Sequence, residues 1–95
     1  MIKIQVDSVT PISKILRGRR FFVEMSHGAK LIDLLHALTK DYGQEFYDAV
    51  CREDGYDEEK VSILVNGVSV IFLGGVGIIL KDGDTVLIMP LLCGG

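Results

Sequence analysis

Cysteine, histidine and unbroken apolar runs are all scarce in this chain. Its 95 residues include two cysteines and two histidines. Cys51 and Cys93 are far apart, and neither has a Cys or His at zinc-ligand spacing, which argues against a disulfide scaffold and a structural zinc site. Free thiols suit a reducing compartment, so a cytoplasmic protein is expected. The longest apolar stretch, Val68 to Leu80, is interrupted by Gly74, Gly75 and Gly77 and is too short to span a bilayer. Met1 to Asp7 has a strand-like alternation and no signal-peptide pattern. A formal net charge of −3 argues against nucleic acid as a partner. The expected partners are therefore neither nucleic acid nor membrane. Repeats and low-complexity segments are missing as well.

A catalytic constellation is also lacking. His27 sits at a turn and His36 on the polar side of a helix, and neither has an obvious Ser, Cys or carboxylate partner in the sequence. Asp82 and Asp84 flank Gly83, too few oxygen ligands for a calcium loop. Gly74-Gly75-Val76-Gly77 lacks both the glycine spacing and the lysine–serine pair of phosphate loops. The sequence thus offers no metal site and no bound cofactor, and any ATP chemistry must come from a partner.

What is present is ample apolar content, 48% of residues, in patterns that define one small domain. Ile2, Ile4 and Val6 alternate with Lys3, Gln5 and Asp7, which predicts a half-buried strand. A linking segment with Ile12, Ile15 and Leu16 leads to a second strand, Arg20 to Met25. Phe21 and Phe22 are adjacent, so the inward face of that strand stays open. Leu31, Leu34, Leu35 and Leu38 recur at helical spacing, with Ser26 as the expected cap and Gly43 as the expected stop. Gln44 to Arg52 predicts a second short helix, and Glu53 to Lys60 a charged loop. Val61–Val65, the Asn66-Gly67 hairpin signal, Val68–Leu73, Ile78–Leu80 and Thr85–Met89 complete the reading as strands. The basic residues Lys14, Arg17, Arg19 and Arg20 cluster, as do the acids from Asp41 to Glu59, and both groups read as solvated surface. A helix covering one face of a mixed sheet gives a two-layer α+β domain. With the first and last strands parallel at its centre, this is the β-grasp arrangement, expected over residues 1–90.

The last five residues, Leu91-Leu92-Cys93-Gly94-Gly95, read as a flexible tail, residues 91–95. Two glycines contribute little to a fold but make a thin arm that can enter a slot too narrow for side chains. Its carboxylate is a poor electrophile and reacts only after activation, most simply as an acyl-adenylate. Leu91 and Leu92 offer apolar anchors for a docked tail. Cys93 reads as a small group that helps to seat it, since no neighbouring base favours its thiolate. Val68–Leu73 is apolar on both faces, so Val70 and Phe72 are expected in a docking patch for the activating partner.

Leu64-Val65-Asn66-Gly67, Phe72-Leu73-Gly74-Gly75, Leu80 through Val86, and Pro90 through Gly94-Gly95 occur in an order that resembles the small sulfur carriers of the MoaD/ThiS type. The likeness is greatest to the small subunit of molybdopterin synthase. It implies a ubiquitin-like β-grasp fold. It further implies that Gly95 is adenylated, with ATP, by a ubiquitin-activating-type enzyme of the MoeB kind and converted to a thiocarboxylate. Gly94 would be the second slot-threading glycine. In the molybdopterin branch the tail would enter a MoaE-like large subunit and deliver sulfur to a pterin precursor. Two alternatives stand beside this: a ubiquitin-like modifier joined to lysines through Gly95, and a β-grasp interaction module with an inert tail.

Overall fold

The computed structural model describes residues 1–91, so the expectations placed on Leu92, Cys93, Gly94 and Gly95 lie outside the described residues. The chain opens with β1 (Ile2–Ser8), in which Ile2, Ile4, Val6 and Ser8 are buried and the residues between them point outward. A short helix α1 (Ile12–Ile15) leads to β2 (Arg20–Met25). There the open question of face is answered: Phe21, Val23 and Met25 pack against the core, whereas Phe22 is 58% exposed. The long helix α2 (Leu31–Val50) buries Leu31, Leu34, Leu35, Leu38, Phe46 and Val50. Two short strands, β3 (Cys51–Arg52) and β4 (Gly55–Tyr56), form a small hairpin. β5 (Val61–Val65) and β6 (Val68–Ser69) form a second, followed by α3 (Val70–Leu73), a turn of 3-10 helix (Gly75–Gly77) and β7 (Thr85–Pro90).

The main sheet has the order β2-β1-β7-β5-β6. β1 and β7 pair in parallel at its centre, with Val6 opposite Val86 and Ser8 opposite Ile88, and all other pairs are antiparallel. Ile4, Val6, Ile63, Val86 and Ile88 form one continuous buried face against the leucine stripe of α2. Each such side chain contributes roughly 1.5–3 kcal/mol by leaving water. This two-layer arrangement is the expected β-grasp fold. No helix of the described residues is long and apolar enough to cross a membrane.

Several local expectations are corrected. Ser26 is not the cap of α2. The cap position is Lys30, whose backbone N–H donates to the Asp33 carboxylate at 2.8 Å. Asp33 thus satisfies a free helix donor and places negative charge where the helix dipole favours it. The run Val68–Leu73 is not one strand, since pairing ends at Ser69. Ser69 then caps α3 by accepting the Ile71 N–H at 3.4 Å. A short apolar run has no period to separate strand from helix, and the local cap decides. Ile78–Leu80 makes only a single bridge, Ile79 to Lys30. Glu53–Lys60 is not simply a charged loop, because β4 and the buried Asp57 fall within it.

Gly43 does interrupt the helix, as its sequence position suggests, yet α2 resumes beyond it. Its φ of 77° and ψ of −159° lie where essentially only glycine is comfortable. The break re-aims the second segment so that Phe46 and Val50 reach the core. Helix propensity alone would make Gly43→Ala stabilising by about 0.5–1 kcal/mol. A Cβ would meet nothing within 4 Å, so only backbone strain opposes it. The strain is expected to win, with a loss of about 1–3 kcal/mol in urea denaturation at unchanged m-value. A stabilised variant would contradict this reading of the break.

Candidate functional site: the root of the C-terminal segment

The central strand carries the chain to one end of the sheet. β1 ends there, as Ser8 pairs with Ile88, and β2 begins there, as Asp7 pairs with Arg20. β5 also starts at this end, with Val61 opposite Pro90. Pro90 cannot donate to the ladder, but Leu91 can, and its N–H donates to the Lys60 carbonyl at 2.8 Å. That bond fixes the last described residue against the start of β5. Leu91 itself is 43% exposed.

Lys60 closes a turn organised by Asp57, a carboxylate only 5% exposed. Asp57 Oδ1 accepts the Glu59 N–H at 3.0 Å, and Oδ2 faces Arg52 Nε at 3.3 Å and Lys60 Nζ at 4.0 Å. Its carbonyl accepts from both Lys60 and Val61, each at 3.0 Å, and its N–H donates to the Val50 carbonyl at 2.8 Å. Lys60 Nζ also donates to the Asp48 carbonyl at 3.1 Å, near the end of α2. The acidic stretch gave no sign that one of its members was buried, since Glu58 and Glu59 beside it are solvated. On the other side of the exit, Arg17, Arg19 and Arg20 are exposed. Arg20 is bound to Asp7 at 3.0 Å, and this hydrogen bond, followed by the charge of Asp7, raises the guanidinium pKa above its ordinary value.

The outward face of the sheet carries a row of aligned residues. Register sets Leu87 beside Asp7 and Leu64, and Met89 beside Ser62. Leu64, Leu87 and Met89 are half-buried and lead toward the exit. Ile63-Leu64-Val65 and Val86-Leu87-Ile88-Met89 are apolar throughout, so no polar–apolar alternation in the sequence marked the outward-facing members. Phe72 is 84% exposed, in keeping with an outward role. Val70 is a correction: it is fully buried and faces the core, because the chain turns into α3 and carries Val70 inward. The exposed apolar group there is Ile71, Phe72 and Leu73, with Val68 beside it. Thus the structure brings Leu91 to the exit and leaves Phe72 available, but it removes Val70 from any contact surface.

The remaining chemically able groups serve the fold. Asp82 accepts the Lys3 N–H at 2.8 Å and Asp84 accepts the Lys81 N–H at 2.7 Å, so both carboxylates hold the turn before β7. Asn66 donates to Asp84 at 2.9 Å and accepts the Thr85 N–H at 3.0 Å, joining the β5–β6 turn to the same place. His27 and His36 are exposed. A cavity of about 250 Å³ between α2 and the β3–β4 hairpin is lined by Cys51, Thr39, His36 and Tyr47, among others. Burial pushes the Cys51 thiol pKa up, with a smaller opposing contribution from the Thr39 hydroxyl 3.7 Å away. The thiol is therefore protonated and weakly nucleophilic at neutral pH. Iodoacetamide at neutral pH is expected to label Cys51 at least about tenfold more slowly than a free cysteine, the rate climbing as pH rises past the ordinary thiol range. Peptide mapping would show this, and labelling at the free-cysteine rate would contradict it.

The ThiS family model matches residues 13–95. Small archaeal modifier protein 3 of Haloferax volcanii is 42% identical over 94 residues, covering 99% of this chain and all of that protein (100%). A solved structure described as molybdopterin converting factor subunit 1 of Pyrococcus furiosus is similar with a TM-score of 0.78 and 28% identity, covering 97% of this chain and 100% of that one. The crystal structure of the BexX/CysO complex of Amycolatopsis orientalis contains a chain similar with a TM-score of 0.76 and 25% identity, covering 97% and 99%. With a family model over most of its length and a relative aligned along nearly all of it, the chain belongs to the ThiS family.

Proposed function

We propose that this chain is a sulfur carrier whose Gly95 carboxyl is adenylated by a partner enzyme and converted to a thiocarboxylate. The observation that supports it most is the pinned root of the tail. β7 is held by β1 and β5, Leu91 is held by Lys60, and Leu92-Cys93-Gly94-Gly95 follows in sequence. A rigid base with a narrow terminal arm suits a carboxylate that must be presented inside another protein's active site, where orientation supplies much of the rate.

The chemistry proceeds in two displacements. The Gly95 carboxylate attacks the α-phosphorus of ATP in a MoeB-like activating enzyme, and pyrophosphate leaves. Hydrosulfide, released by a partner sulfur donor, then attacks the acyl carbon, AMP leaves, and loss of the thiol proton gives the thiocarboxylate. Gly94 and Gly95 provide access to the narrow slot, while Leu92 and Cys93 serve as seating groups. For the acceptor we favour a pterin precursor of the molybdenum or tungsten cofactor, reached through a MoaE-like large subunit. The likeness to the Pyrococcus furiosus converting-factor subunit supports that choice. The BexX/CysO complex supports action with a partner protein in general. The Haloferax volcanii modifier favours a second reading, in which activated Gly95 is joined to lysine amines of other proteins.

Both readings require activation at Gly95. ATP–pyrophosphate exchange with the cognate activating enzyme is expected to vanish on deletion of Gly95, with the circular dichroism spectrum unchanged. Phe72→Asp should raise the KM for this carrier about tenfold or more with kcat little changed, since an exposed apolar contact would be lost. Exchange that survives Gly95 deletion would overturn the carrier and the modifier readings together.

A further inference from the structure

We propose that Asp57 is a positioning residue that holds the root of the tail in the geometry needed for activation; this rests on the carrier reading above. A carboxylate on a surface hairpin would ordinarily be solvated, yet Asp57 is 5% exposed. Its side chain accepts the Glu59 N–H and pairs with Arg52 and Lys60. Its own backbone ties three elements together: α2 through Val50, the turn through Lys60, and β5 through Val61. Lys60, held in this network, presents its carbonyl to the Leu91 N–H 2.8 Å away, the next step in the register that sets Val61 opposite Pro90.

The position of that bond gives it its importance. Pro90 has no N–H, so Leu91 supplies the first donor beyond the strand's proline. Without the Lys60 carbonyl in place, the last fixed residue is Met89 or Pro90 instead of Leu91, one or two residues farther from Gly95 in sequence. A more distant anchor lowers the fraction of carriers that present the carboxyl in register when the domain docks. Asp57 therefore acts through Lys60 on Leu91, without touching the partner's reactants.

Amide hydrogen exchange by NMR tests the clamp directly, and activation kinetics test its consequence. In the unmodified chain the Leu91 amide should be protected about tenfold or more above its random-coil rate and should open together with Glu59 and Val61. Asp57→Ala should abolish that protection while Ile4, Val6 and Ile88 keep theirs. The same variant should raise the KM for the activating enzyme roughly threefold or more, with kcat within about twofold. Asp57→Asn, which keeps an oxygen for the Glu59 N–H, should recover most of both effects. Free-chain exchange at Leu91 in the unmodified protein overturns the proposal whatever the variants do. Protection that survives in Asp57→Ala, protection lost uniformly through the sheet, or an unchanged KM after local loss at Leu91 overturns it as well. Failure of the unmodified chain to be activated would count against the carrier reading and remove the kinetic half of the proposal, while exchange at Leu91 would still decide the clamp.

Discussion

The parallel pairing of β1 with β7 is the constraint on which the rest of the molecule depends. It joins the first and last strands side by side at the centre of the sheet, with Gln5 opposite Thr85 and Ser8 opposite Ile88. The junction is fastened by contacts across nearly the whole sequence: Lys3 N–H to Asp82 at 2.8 Å, Gly83 N–H to the Lys3 carbonyl at 2.9 Å, and Gln5 N–H to the Asp84 carbonyl at 2.9 Å. A parallel pair demands a long crossover, and here the crossover contains α2, which covers the face where Ile4, Val6, Val86 and Ile88 converge. The same pairing decides where the chain goes next. A central strand flanked by β1 and β5 delivers its end from a fixed point.

That point is finished by polar contacts of a different kind. The apolar core sets the direction of β7, and the last bond of its ladder with β5, Leu91 N–H to the Lys60 carbonyl, is made at a turn built around a buried carboxylate. Such a carboxylate is retained at a cost in desolvation, offset by hydrogen bonds and two basic partners. Its burial stabilises a local geometry more than it adds to the core. The division of labour is therefore between a hydrophobic sheet that holds β7 and a polar turn that fixes Leu91 at its end.

Much of this was legible in the sequence, for reasons that differ by element. β1 alternates polar and apolar residues and α2 carries a leucine stripe, so burial on one face dictated type and face together, while β5 and β7 showed as apolar runs bounded by turn signals. Asn66-Gly67 marked its hairpin through the two positive φ values that such a turn needs, 51° and 84°. Phe21 against Phe22 was undecidable locally, because only the register with β1 selects the inward ring. Val70 misled for a related reason: in Val68–Leu73 every residue but Ser69 is apolar, and a single serine cap determined which of them turned inward. Asp57 was hidden because nothing in a run of acids distinguishes the buried member. The terminal Gly94-Gly95 pattern was plain in the sequence, though it lies outside the described residues.

Under the proposed function, Gly95 carries an activated acyl group toward sulfur. The most direct test is intact-mass analysis of this chain after incubation with its activating enzyme, ATP and a sulfur source, with fragment ions used to locate any change. A sulfur carrier is expected to show a mass increase equal to the exchange of one oxygen for one sulfur, confined to Gly95. Lysine-linked adducts formed through Gly95, with no sulfur product, would contradict the carrier assignment and favour the modifier reading, and an unchanged mass would contradict both.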